Sequence, residues 1–160
     1  MDQNAQAIYQ HQVMLNYFAK WIYSDRTISQ LKNSGNFRLI RKKSVSDKII
    51  GYDGYIINFV GNMQEEYLLP LWRKLNDESD GIFKSSVFRE YFKNGGFIYH
   101  PVQLPSAPYF LSDERTKRLQ FVNVLNQYAV AIEWSNLNIN NALSRAVKLD
   151  SLIRKEYDIQ

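Results

Sequence analysis

The chain has no cysteine among its 160 residues and only two histidines. Without thiols it can form no disulfide framework, no thiolate nucleophile, no Cys-ligated zinc and no iron–sulfur cluster. His11 and His100 are the only imidazoles available for base catalysis or metal ligation. Proline is scarce as well: three of the four prolines fall in Pro101-Val102-Gln103-Leu104-Pro105-Ser106-Ala107-Pro108, which predicts an extended connector over 101–109. No apolar run approaches the roughly 20 residues of a membrane-spanning helix. The opening Met1-Asp2-Gln3-Asn4 leads into no basic region followed by an apolar run and does not read as a secretory signal. A cytoplasmic protein is the expectation.

The sequence is rich in apolar and aromatic residues. Apolar residues make up 45% of the chain and charged residues 22%, a balance that sustains a folded core. A chain of this length is most simply one globular domain, 1–160. Eleven tyrosines, nine phenylalanines and three tryptophans predict many half-buried rings, because tyrosine buries its ring and keeps its hydroxyl wet.

Positive charge is concentrated. Lys32, Arg38, Arg41, Lys42, Lys43 and Lys48 stand against Asp47 alone, and the rest of the chain is close to neutral. Arg38, Arg41, Lys42, Lys43 and Lys48 form a candidate anion-binding segment for phosphate backbones, anionic lipid heads or an acidic protein surface. Tyr52 or Tyr55 could stack on bases beside it. The same cations also suit a sheet edge kept soluble by charge.

Periodicity gives the expected elements. Ile8, His11, Leu15, Phe18 and Ile22 form one helical stripe over 4–23, and Met14, Tyr17 and Trp21 form a second beside it. A short helix over 27–34 should stop at Asn33-Ser34-Gly35. Phe37 to Arg41 reads as a strand. Lys48 to Tyr52 and Tyr55 to Val60 flank Asp53-Gly54, a two-residue hairpin signal. Leu68, Leu71, Trp72 and Leu75 mark a helix over 63–77 that contains Pro70. A helix follows over 82–93, and Phe97 to His100 is a candidate fourth strand. Ser112 caps a helix whose predicted inner face is Leu119, Val122, Leu125, Tyr128, Ala129 and Ile132. The run Asn136 to Asn141 should interrupt it. A last helix over 141–157 should turn Leu143, Ala146, Leu149 and Ile153 inward. The sum is an α+β fold: a small antiparallel sheet of three or four strands, helices packed on it, a long N-terminal helix and a C-terminal helical hairpin.

No catalytic set assembles from these residues. His100, at a strand end before the proline-rich loop, is the one weak catalytic candidate, and no spacing supplies it with a nucleophile, an orienting carboxylate or metal partners. In Asp77-Glu78-Ser79-Asp80-Gly81 the alternation resembles a calcium loop, but the twelfth position is Val87 and the bidentate ligand is missing. Glu65 and Glu66 are adjacent and so diverge on a helix. No cofactor and no metal site is expected. The reading is a non-enzymatic protein-binding module: a small adaptor, chaperone, inhibitor or accessory subunit that meets another protein or a second copy of itself. Met14, Tyr17, Phe18, Trp21, Tyr23, Pro105 and Tyr109 are the candidate contact residues, since aromatic and Met anchors suit interfaces. A nucleic-acid or anion-binding module built on segment 38–48 is the alternative, and a metal-independent enzyme using His100 is the third reading.

Overall fold

The computed structural model describes residues 21–83, 111 and 114–158. Those residues are 85% helical and contain no strand, so the expected α+β sheet is replaced by an all-helical arrangement. The elements are α1 (Arg26–Asn33), a 3-10 turn (Asn36–Leu39), α2 (Lys43–Tyr55), two π-helical segments (Ile56–Gly61 and Met63–Leu68), α3 (Leu69–Asp80) and α4 (Arg115–Tyr157). The expected helix over 82–93 (apart from Ile82 and Phe83), strand 97–100 and connector 101–109 lie outside the described residues, as does nearly all of helix 4–23.

The Asp53-Gly54 hairpin is overturned first. Residues 43–80 form one unbroken helical run, and Val45, Asp53, Ile56 and Val60 are buried along it. Their offsets of 8, 11 and 15 from Val45 belong to one side of a helix, which alternating strand residues could not supply. A hairpin tip would expose Asp53. Here its carboxylate is nearly inaccessible and collects two tertiary partners, so long-range contacts outweigh the local turn signal. The predicted strand at Phe37–Arg41 is a 3-10 turn entered through Gly35, whose φ of 67° is the left-handed conformation that glycine adopts without steric cost. The stop of α1 at Asn33 agrees with its sequence signal.

The middle of the long run is widened. The Asn62 N–H reaches back five residues to the Ile57 carbonyl, the π pattern, which is rare beyond single turns. Ile56, Val60, Met63, Gln64 and Leu68 face inward through this stretch, while Ile57, Phe59 and Tyr67 remain exposed. Pro70 is the second residue of α3, directly after the second π-helical segment, so inside the continuous run its missing N–H leaves a carbonyl of the preceding turn without that donor.

The chain divides into two compact units. In one, which includes residues 69–83 and 114–130, the buried side chains are Leu75, Ile82, Phe83, Phe121, Val124 and Tyr128. The Phe83 and Phe121 rings meet edge to face, 5.4 Å between centroids. The Leu111 N–H donates to the Ile82 carbonyl at 2.7 Å. Ser79 Oγ is buried there without a hydrogen-bond partner. In the other unit, which includes 21–68 and 131–158, Ile56, Val60 and Ala142 form a core cluster with Tyr23, Tyr52 and Tyr55 packed on it.

α4 corrects two further expectations. Its 43 residues run through the Asn-rich stretch without interruption, so there is no C-terminal hairpin. Its buried positions are Phe121, Val124, Tyr128, Ala131, Ser135, Asn138 and Ala142, a regular 3–4 spacing. Of the predicted inner face only Tyr128 is fully buried, and Leu119, Val122, Ala129, Ile132 and Leu143 are exposed. The helix is apolar on more than one side, so hydrophobic spacing alone does not choose between seams.

Glycine substitutions test the helix against the hairpin. Gly51 and Gly54 lie within α2 at ordinary negative φ. A Cβ at Gly51 meets nothing within 4 Å, and one at Gly54 meets only Asn58 Nδ2 at 3.9 Å. Gly51→Ala and Gly54→Ala should each raise unfolding free energy by about 0.5–1 kcal/mol in urea titrations. A loss of stability at Gly54→Ala would restore the turn.

Candidate interaction surface

In the unit that includes 21–68 and 131–158, the segment entering α1 is tied down by polar contacts. Tyr23 Oη donates to Asp53 Oδ1 at 3.0 Å, and Lys32 Nζ pairs with Asp53 Oδ2. The Trp21 backbone N–H donates to Gln64 Oε1 at 3.1 Å, and the indole stacks on the Tyr23 ring at 5.7 Å. Asp53 is 2% exposed, whereas the Lys32 side chain is about half exposed, so only one member of the pair is desolvated. Burial, together with the hydrogen bond to Asp53 and its negative charge, pushes the Tyr23 hydroxyl far above the ordinary tyrosine pKa. Burial also raises Tyr128.

The second half of α4 is fastened by Tyr55. Its hydroxyl donates to Asn138 Oδ1 at 3.1 Å, and Asn138 Nδ2 donates to the Trp134 carbonyl at 3.0 Å. The Arg145 guanidinium lies over the Tyr55 ring, 4.1 Å from its centroid, and Phe59 stacks on the same ring. Trp134 meets Tyr67 edge to face, and Lys42 pairs with Glu156 at 3.1 Å.

These contacts leave one side of the same helix segment open. Ile132, Ile139, Leu143 and Val147 recur at offsets of 7, 11 and 15, which places them along one stripe. All four are exposed, Leu143 at 63% and Val147 at 58%. Asn136 and Asn140 are exposed between them. From Leu119 to Ser144 the only charged side chain is Glu133. A solvated helix face ordinarily carries Lys and Glu. This one carries aliphatic and amide side chains.

The sequence-derived candidates fall in several places. Trp21 and Tyr23 precede α1 in a segment without regular structure. Trp21 keeps 38% exposure, and Tyr23 is half-buried with its hydroxyl engaged. Met14, Tyr17, Phe18, His100, Pro105 and Tyr109 lie outside the described residues. Arg38 lies on the 3-10 turn, Arg41 and Lys42 lead into α2, and Lys43 and Lys48 are on it. Sequence reasoning marked Leu143 as core and missed the stripe. Among the described residues no group of three or more His, Asp or Glu could hold a metal, and no helix is long and apolar enough to cross a membrane.

The Asp53 cluster makes stability depend on alkaline pH. Because the folded pKa of Tyr23 lies above the unfolded value of about 10, its contribution is complete below that pH and is lost as pH rises past it. The urea midpoint should fall more steeply above pH 10 in the parent than in Tyr23→Phe, which should itself cost about 1.5–3 kcal/mol at neutral pH. Parallel profiles for the two proteins would remove Tyr23 from the cluster.

No family model, curated protein or solved structure matches this chain.

Proposed function

We propose that the chain is a non-enzymatic protein-binding module, an adaptor, chaperone, inhibitor or accessory subunit, and that the open stripe of α4 is its contact surface. The exposed run Ile132, Ile139, Leu143 and Val147, on a helix whose stretch from Leu119 to Ser144 has Glu133 as its one charged side chain, carries the reading. A helix apolar on several sides is normally covered on those sides. Bringing a half-exposed aliphatic side chain out of water is favourable by roughly 1 kcal/mol, so four of them supply a useful anchor along about four turns. The spacing suits a partner helix laid alongside, with Asn136 and Asn140 setting register as isolated amides do in coiled coils. The partner is another protein or a second copy of the chain.

Paired substitution of Leu143→Glu and Val147→Lys tests this. The new side chains stand four apart in the favourable order and should leave unfolding free energy within about 0.5 kcal/mol of the parent. The parent, used as bait or followed by light scattering, should form a stoichiometric complex that the variant does not. Unfolding of the variant, or retention of every partner, would make the stripe an ordinary part of the fold.

A further inference from the structure

We infer that residues 38–43, with Lys48 one turn further on, form a peripheral docking site for an anionic lipid surface. The stretch Arg38-Leu39-Ile40-Arg41-Lys42-Lys43 holds four cations and no acid. Ion pairing in the structure accounts for only part of the local charge. Lys32 is held by Asp53 and Lys42 by Glu156, whereas Arg38, Arg41, Lys43 and Lys48 are exposed and have no acidic partner among the described residues. The first turn of α2 contains no acidic residue, and Lys42 at its N-cap makes no side-chain cap. The cations therefore stand at the positive end of the helix, and an external anion relieves that repulsion.

Two observations select lipid over nucleic acid. Leu39 is 67% exposed in the middle of the cations, between Arg38 and Arg41. An aliphatic side chain offers nothing to a phosphodiester backbone, but it gains by entering the boundary between headgroups and acyl chains. The bases of a single strand need an open aromatic platform. The tyrosines nearest in sequence do not provide one. Tyr52 and Tyr55 pack on the Ile56–Val60–Ala142 cluster, and Tyr55 is further occupied by Phe59, Arg145 and Asn138. Phe37 is half-buried. Cations beside an exposed leucine match a surface of negative headgroups over hydrocarbon.

The test is co-sedimentation of the full chain with phosphatidylcholine vesicles, with and without phosphatidylserine, across a salt series. Binding should require phosphatidylserine and fall with salt. Each basic residue near such a surface is worth about fivefold in partition, so Arg38→Gln with Arg41→Gln should weaken binding by roughly 25-fold. Leu39→Ser should weaken it while leaving the salt slope unchanged. Both variants should keep the parent's circular dichroism, since no ion pair among the described residues uses these side chains. Failure to bind phosphatidylserine vesicles at low salt overturns the inference. So does an unweakened Leu39→Ser variant, or tighter binding to a single-stranded oligonucleotide in anisotropy titrations.

Discussion

A carboxylate at 2% exposure is costly to hold in a protein interior, and the unit that includes 21–68 and 131–158 is arranged around meeting that cost at Asp53. Desolvating one ionised group takes several kcal/mol unless cations and donors replace the lost water. Tyr23 and Lys32 are those replacements, 30 and 21 residues away in sequence. Each must be delivered by its own stretch of chain. Lys32 fixes how α1 lies on α2, and Tyr23 fixes the path of the residues before α1. With Asp53 turned inward, Ile56 and Val60 follow it on the same side of the helical run and meet Ala142 of α4. Tyr55 then reaches Asn138. One buried charge thus sets the rotation of α2 about its axis and, through that rotation, the side of α4 that is covered.

The covered side of α4 in this unit is only modestly apolar. Ala131, Ser135, Asn138 and Ala142 are small or polar, and they are buried because Tyr55 and Trp134 give the amide its partners. The larger aliphatic residues Ile139, Leu143 and Val147 face out. That inversion, polar side chains within and branched hydrocarbon without, is what the protein-binding proposal interprets. A helix built only for this unit's stability would exchange the two sets.

What could be read in advance follows the same logic. The stop of α1 was legible because Asn33-Ser34-Gly35 is a local signal and Gly35 needs its left-handed φ wherever the chain goes next. The helical character of residues 63–77 was legible from Leu68, Leu71, Trp72 and Leu75. The sheet was not, because Asp53-Gly54 between β-branched runs is locally a hairpin, and only distant Lys32 and Tyr23 make it a helix interior. The buried side of α4 was hidden by an excess of hydrophobic residues: Leu119 and Val122 fit helical spacing as well as Phe121 and Val124 do. Asn138 and Ser135 carry no hydrophobic signal, so no periodicity count would have put them inside. The cation cluster was visible in composition, but its split into paired Lys32 and Lys42 and, among the described residues, unpaired Arg38, Arg41, Lys43 and Lys48 depends on tertiary contacts with Asp53 and Glu156.

The lopsided placement of charge has a consequence for diffusion. With the positive excess gathered in one short segment and the remainder near neutral, the chain carries an electric dipole, and a negatively charged body exerts a torque on it before any atoms touch. Screening confines that torque to about the last 8 Å of approach at physiological ionic strength. Within that distance a field acting on Arg38 to Lys43 favours approaches that bring this segment forward, before any side-chain contact is made.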